Sequence, residues 1–112
     1  MDKSQREHFG ELIQTRIKAL RTEIAASQSA TATVQLDQQM VGRLSRMDAI
    51  QQQAMAVAAN RRRLAEIQQL QAALARIDEG EFGYCEDCGD EIAPKRLEIS
   101  PTTTRCMSCA SG

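Results

Sequence analysis

Apolar residues near the start of the chain recur at the spacing of a helix. A helix repeats every 3.6 residues, so side chains three and four positions apart share one face. Ser4 precedes the pattern as a candidate N-cap. The chain is therefore predicted to begin with an amphipathic helix from Ser4 to about Ser27. Its apolar face, with intervals of 4, 4, 3 and 4 residues, consists of Phe9, Ile13, Ile17, Leu20 and Ile24.

A stretch of small, hydroxylated and β-branched residues follows at 27–34. Such residues form helices poorly, so we predict a turn at about 28–38. Two starts of the next helix are open: Asp37 as an N-cap, or a capping box formed by Ser45 and Asp48. We favour Asp37, because apolar residues already run at helical spacing from Met40 onwards.

Strong helix formers then continue to about Glu79, and Gly80 is a typical residue after a helix end. Apolar and polar residues alternate at intervals of 3 and 4, as in a coiled-coil seam. A helix this long must pack against the first one, so residues 1–79 are predicted to form an antiparallel helical hairpin. The predicted seam positions are Ile50, Gln53, Val57, Asn60, Leu64, Ile67, Gln71 and Leu74.

Two Cys-x-x-Cys pairs contain all four cysteines of the 112-residue chain, and 17 residues separate the pairs. This spacing is typical of a tetrahedral zinc site, and four thiolates would close the coordination sphere around one structural ion. Two disulfides, a redox-active thiol pair and an iron–sulfur cluster are the other interpretations. The predicted zinc ligands are Cys85, Cys88, Cys106 and Cys109.

The region around the cysteines, residues 80–112, is predicted to form a small treble-clef-like zinc finger. Two short strands are predicted, one entering the first cysteine pair at 81–85 and one at 97–99. A few apolar side chains should form a miniature core over the metal. They are Phe82, Tyr84, Ile92, Leu97 and Ile99.

The distribution of charge bears on the partners. Residues 30–65 carry five basic and two acidic side chains, whereas residues 66–112 carry four basic and nine acidic ones. An acidic finger is not expected to bind DNA directly. Basic residues could contact a protein partner or simply face solvent, and those near the cysteines could offset thiolate charge. The candidates for a basic partner-binding patch are Arg43, Arg46, Arg62 and Arg96.

Other functional classes find little support in the residues. No apolar run approaches the roughly 18 residues of a membrane span, and the N-terminus does not resemble a signal peptide, so we expect a cytoplasmic protein. His8 is the only histidine and no nucleophile is placed for it, so it is expected to be a surface residue of a protein that is not an enzyme.

The finger residues resemble those of the DksA/TraR family of zinc-finger proteins. The resemblance rests on Gly83-Tyr84-Cys85-x-x-Cys88-Gly89, Ile92, Arg96-Leu97, Pro101-Thr102 and Cys106-x-x-Cys109. It implies a bacterial transcription regulator that binds RNA polymerase rather than DNA. Such proteins insert the hairpin into the secondary channel and modulate initiation, often together with guanosine tetraphosphate.

The family places two aspartates and an alanine at the hairpin tip, where ungapped counting gives Gly42, Ser45 and Met47 in this chain. Nearby residues are therefore the candidates for a partner-binding tip, namely Asp37, Asp48 and Ala49. The three positions that bind the nucleotide effector correspond to neutral residues here, so weak or absent effector binding by a monomeric protein is expected. They are Gln69, Ser100 and Ala110.

Two other functions remain open. The chain could be a zinc-stabilised adaptor that recruits a different helical partner. It could also be a redox switch in which oxidation of the thiols releases the metal. Against the switch, the acidic residues near the first cysteine pair should raise the thiol pKa values and lower their reactivity.

Overall fold

The computed structural model of the chain describes residues 2–37 and 43–111, and side chains at all of these except 29–37 and 43–45. Within those ranges it has four helices: α1 (Lys3–Asp37), α2 (Arg43–Glu79), α3 (Pro94–Ile99) and α4 (Met107–Ser111). The same ranges contain no strand, only an isolated antiparallel bridge between Tyr84 and Glu91. The prediction of a mostly helical chain ending in a four-cysteine module is confirmed.

The start of α1 is capped by a reciprocal pair of hydrogen bonds. The Gln5 backbone N–H donates to Asp2 Oδ1 at 2.8 Å, and the Asp2 N–H donates to Gln5 Oε1 at 3.2 Å. This is a capping box, with Asp2 rather than the predicted Ser4 as the N-cap. The apolar face of α1 is as predicted, because Phe9, Ile13, Ile17 and Leu20 are buried and Ile24 is half-buried.

Helix α1 extends about ten residues beyond its predicted end near Ser27 and stops at Asp37. The predicted turn at about 28–38 is therefore wrong for residues 28–37. Ser, Thr and Val cost a helix only a few tenths of a kcal/mol each relative to Ala. The segment contains neither Gly nor Pro, so a helix that has already nucleated can propagate through it.

The two predicted starts of the second helix are both wrong. Asp37 ends α1, and Ser45 and Asp48 lie inside α2, which begins at Arg43. Met40, on which the preference for the first start rested, lies outside the described residues. The predicted end at Glu79 is confirmed.

Gly80 adopts a φ of 76°, which favours glycine. The backbone N–H groups of Glu81 and Phe82 both donate to the Arg76 carbonyl, at 2.9 and 3.1 Å. These bonds satisfy an end carbonyl of the helix and reverse the chain toward the finger.

In α2, four of the eight predicted seam positions lie one residue away from the observed seam. The predicted seam residues Ile50, Val57, Leu64 and Gln71 are exposed. The residues preceding each of them are less exposed, so the seam contains Ala and Arg where larger aliphatic residues had been expected. Two seven-residue repeats among the buried and half-buried positions of α2 are Ala49, Ala56, Arg63, Leu70 and Ile77, and Gln53, Asn60, Ile67 and Leu74.

The chain divides into two compact units. The first comprises Met1–Ile17 with Gln68–Gly112, and the second comprises Lys18–Ile67. The predicted boundary between residues 79 and 80 coincides with the end of α2, whereas the first unit contains the finger together with parts of both long helices. In the second unit, Arg63 Nε of α2 donates to Glu23 Oε2 of α1 at 3.2 Å, so the two helices are paired there.

The first unit has a continuous apolar core. The rings of Phe9 and Phe82 lie 5.4 Å apart between centroids, so the start of α1 packs on the chain that leads into the finger. The core therefore draws on α1, α2 and the finger. Its buried residues are Phe9, Ile13, Ile17, Leu70, Ala73, Phe82, Cys85, Ile92 and Leu97.

Candidate metal centre

The structure brings the four cysteines together. The sulfur atoms of Cys85, Cys88, Cys106 and Cys109 all lie within 4.8 Å of one another. A tetrahedral zinc ion with zinc–sulfur bonds of about 2.3 Å separates its sulfur ligands by about 3.8 Å. The measured distance between the Cys88 and Cys106 sulfurs is 3.6 Å. The cluster therefore fits a four-thiolate metal site.

The distances do not fit the predicted alternative of two disulfides. A disulfide requires two sulfurs about 2.05 Å apart, and all four cysteines are free thiols. Soft thiolate ligands in a tetrahedral set are typical of zinc or iron–sulfur chemistry. Only one of the four, Cys85, is buried, so the site lies near the surface with its deepest ligand on the core.

A tight turn positions the first cysteine pair. The Gly89 N–H donates to the Cys85 carbonyl at 3.0 Å, and the Cys85 N–H donates to the Asp90 carbonyl at 2.8 Å. Gly89 has a φ of 78°, as expected of the residue that turns the backbone away after the second ligand. The Ile92 N–H, which donates to the Gly83 carbonyl at 2.7 Å, closes the base of this turn.

The second pair lies at the start of a short helix. Cys106 immediately precedes α4, and the Ala110 N–H donates to the Cys106 carbonyl at 2.9 Å, so one helical turn aims both sulfurs at the same point. The Glu86 N–H donates to the Thr104 carbonyl at 2.8 Å. This bond ties the two cysteine segments together beside the cluster.

The electrostatic environment differs between the thiols. Hydrogen bonds from the backbone N–H groups of Cys106 and then Cys88 lower the pKa of Cys85 to about 6. At Cys88 a backbone hydrogen bond from Asp90 lowers the pKa, but hydrogen bonds with the Cys106 and Cys85 thiols outweigh it, and the net pKa is raised.

The pKa of Cys109 is also raised, chiefly by the neighbouring Cys106 thiol. The expectation that nearby carboxylates would raise the thiol pKa values is wrong for Cys85, and at Cys88 and Cys109 neighbouring thiols cause the rise. A metal that binds here must displace the protons that Cys88 and Cys109, with their raised pKa values, retain.

The miniature core under the cluster is smaller than predicted. Phe82, Ile92 and Leu97 are buried, but Tyr84 is exposed and Ile99 is 87% exposed. The predicted strand at 97–99 is wrong, because these residues lie in α3. Pro94 stands at the start of α3, where its fixed φ favours a helix and its missing N–H costs nothing. The predicted strand at 81–85 is reduced to the single bridge at Tyr84.

The predicted tip residues lie on the two long helices. Asp37 is the last residue of α1, and its side chain lies outside the described set. Asp48 is exposed on α2, whereas Ala49 beside it is half-buried at a seam position. Of the three candidates, the structure therefore presents Asp48 as an accessible carboxylate.

The predicted basic residues do not fall in one place. Arg43 is the first residue of α2, with its side chain outside the described set, and Arg46 and Arg62 are exposed on the same helix. Arg96 belongs to the other unit, on α3, where its Nη1 donates to Met107 Sδ at 2.7 Å. Arg96 therefore stabilises the finger internally.

Arg105 forms an ion pair within the first cysteine pair, since its Nε lies 3.3 Å from Oδ2 of Asp87, which stands between Cys85 and Cys88. Sequence reasoning missed a second polar link in this unit. His8 Nε2 of α1 contacts Glu98 Oε1 of α3. A lone histidine on an exposed helix face carries no signal for such a contact, which depends on the packing of Phe9 against Phe82.

None of the helices in the described part of the chain has a stretch apolar and long enough to span a bilayer.

Comparison with known proteins agrees with the geometry of the cluster. Residues 80–112 match the family model of the prokaryotic dksA/traR C4-type zinc finger. A segment of 43 residues is 42% identical to proteins named "RNA polymerase-binding transcription factor DksA" from Haemophilus influenzae and Escherichia coli. The matched segment covers 38% of this chain but only 30% and 28% of those relatives, less than a third of their length.

The fold is similar over nearly the whole chain to a solved structure titled "Structure of transcription factor DksA2 from Pseudomonas aeruginosa". The TM-score is 0.89 at 21% identity, over 99% of this chain and 84% of the other. The TM-score shows that the two chains share a fold. The finger match, the curated relatives and the fold agree with the predicted resemblance: residues 80–112 match the DksA/TraR C4-type zinc finger, and the chain has the fold of the DksA2 structure.

Proposed function

We propose that this protein is a transcription regulator that binds bacterial RNA polymerase through its secondary channel and modulates initiation. The observation that carries the proposal is the DksA-type fold over 99% of the chain. The names of the curated relatives, which are RNA polymerase-binding transcription factors, support it. The protein would act in the cytoplasm, as a monomer, without binding DNA directly and without catalysing a reaction.

The four-cysteine cluster holds one zinc ion in this proposal, and the ion is structural. Four thiolates leave no coordination position open to substrate or water. The hydrogen bond between Glu86 and Thr104 joins the two cysteine segments, and the buried Cys85 joins the cluster to the core. These contacts support a role of the metal in holding the finger on the helices.

Binding to core RNA polymerase tests the proposal, with competition by an established secondary-channel factor. The zinc-loaded full chain should bind, and the competitor should displace it. A folded, zinc-loaded protein that does not bind core polymerase would contradict the proposal and favour the adaptor function.

Asp48 is the accessible candidate for the regulatory tip. Asp48→Asn removes one negative charge from an exposed position and should change the lifetime of promoter open complexes while leaving polymerase affinity unchanged. Asp78→Asn, at another exposed position of the same helix, is the matched control and should alter neither. An unchanged lifetime with Asp48→Asn would exclude this carboxylate from the mechanism.

Guanosine tetraphosphate should bind weakly or not at all at the family's effector site. The residues Gln69, Ser100 and Ala110 are exposed and neutral, so they offer no positive charge to its phosphates. Isothermal titration of the polymerase complex with the nucleotide measures this. A binding step that depends on the protein and saturates at micromolar nucleotide would contradict it.

A further inference from the structure

One face of α2 keeps large aliphatic side chains in solvent. Ile50, Val57 and Leu64 are 55%, 47% and 51% exposed and recur every seven residues. Met47, three residues before Ile50, is 62% exposed. Positions three, four and seven apart lie side by side on a helix, so these residues form one stripe. The α2 stripe, defined as these four residues, lies entirely within the unit Lys18–Ile67.

The packing of the two long helices does not account for the α2 stripe. The half-buried seam positions next to it carry Ala49 and Ala56, so the smaller side chains are the ones turned inward. Fully burying a Val, Leu or Ile side chain contributes about 1.5–3 kcal/mol. That free energy is not used among the residues that the structure describes, and a contiguous exposed apolar repeat is typical of an interaction surface.

Positive charge lies before the α2 stripe and near its far end. Arg46 precedes Met47 at one end, and Arg61 and Arg62 precede Leu64 at the other, all three exposed. The next residue, Arg63, is used differently, because it donates to Glu23 and Asn60. The 15 residues from Arg46 to Arg61 correspond to about 22 Å of helix at 1.5 Å per residue.

We propose that the α2 stripe binds an amphipathic helix of a partner protein, with acidic residues near both ends of its apolar face. An apolar row with exposed arginines about 22 Å apart along it is complementary in charge and length to such a helix of about four turns. The stripe and this partner go beyond the proposed function, since their recognition does not require that the partner be RNA polymerase.

Charge favours this partner over the two other occupants. Residues 43–65 carry five arginines and a single acid, Asp48. A second copy of the chain would bring two such basic segments together, and like charges oppose association. A nucleic acid would place phosphates along the whole surface, but the aliphatic side chains interrupt the row of arginines and offer phosphates no contact.

Two synthetic helical peptides of about 18 residues test the proposal by titration into the isotope-labelled full chain. Both carry the same leucine repeat, and one has glutamates at both ends where the other has lysines. The glutamate peptide should bind at least about tenfold more tightly at low salt and shift the backbone amide signals of residues 46–64. The preference should shrink at about 0.5 M salt, where exposed charges are screened.

A triple variant, Ile50→Gln with Val57→Gln and Leu64→Gln, keeps good helix formers at exposed positions. It should retain the helical circular dichroism and lose at least about tenfold in affinity for the glutamate peptide. Met55→Gln is the matched control, because Met55 is 66% exposed but lies off the seven-residue repeat. It should bind like the unaltered protein.

Four outcomes overturn the proposal. The first is equal binding of the two peptides, and the second is binding of neither. The third is a dimer in sedimentation that the triple variant abolishes, which would assign the stripe to a second copy. The fourth is a shift of the stripe's signals by duplex DNA and not by the peptide.

Discussion

The contact between Phe9 and Phe82 links the start of α1 to the finger within one apolar core. Phe82 is 3% exposed, and its ring lies 5.4 Å from that of Phe9 at an interplanar angle of 49°. Replacing a buried Phe with Ala costs about 3–5 kcal/mol, because transfer free energy is lost and a cavity remains. The ring pair itself accounts for about 0.5–1.5 kcal/mol of this. We therefore expect Phe82→Ala to destabilise the unit Met1–Ile17 with Gln68–Gly112 by about 3–5 kcal/mol.

Urea unfolding of the zinc-loaded protein, followed by circular dichroism, measures this loss. Phe9→Ala and the double variant complete a thermodynamic cycle, in which the coupling between the two rings should be about 0.5–1.5 kcal/mol. Tyr84→Ala is the control, because Tyr84 is 39% exposed, and its cost should stay below that of either Phe variant. A loss below about 1 kcal/mol for Phe82→Ala, or additive effects of the two Phe variants, would refute a core shared by α1 and the finger.

Three further perturbations have expected outcomes. Cys106→Ser removes one of the four clustered thiols, which are the proposed zinc ligands, so bound zinc measured by a colorimetric assay should fall. Helical signal should be lost from the unit containing the finger more than from Lys18–Ile67. Full zinc retention would exclude Cys106 as a ligand. Ala56→Glu at the half-buried seam should lower the free energy of unfolding in urea by about 1–3 kcal/mol. The matched Val57→Glu on the exposed face should change it by less than about 0.5 kcal/mol. The reverse order would favour the seam predicted from the sequence. Gly80→Ala should lower the free energy of unfolding by about 1–2 kcal/mol through backbone strain alone. Gly80 has a φ of 76°, and no atom lies within 4 Å of the added methyl group. An unchanged stability would contradict the need for glycine there.

The features that the sequence predicted well are those in which a few residues determine local geometry. The two cysteine pairs and Gly89 define the turn and the cluster, and Gly80 marks the end of α2. The apolar face of α1 was found because its large side chains are also the buried ones, from Phe9 to Leu20.

The sequence-based predictions were wrong where a weak local preference competed with propagation of a helix or with side-chain packing. Thr and Val between residues 28 and 37 have low helix propensity, but the cost is too small to end a helix. Leu97 and Ile99 alternate as in a strand, but Pro94 starts a helix and only Leu97 is buried. The seam was misplaced because an alanine carries a weaker burial signal than the adjacent Ile50 or Val57, although the alanine side is the one that packs.

Because Phe9 and Phe82 are about 70 residues apart in the chain, their contact also constrains the order of folding. Joining the ends of a loop of that length costs about 4 kcal/mol of chain entropy, which local helix formation does not repay. Pairing of α1 with α2 near Glu23 and Arg63 closes a shorter loop and would come first. During synthesis, Phe9 must therefore wait until the second long helix and the finger have left the ribosome, so the unit that contains the cysteine cluster is expected to be the last to form.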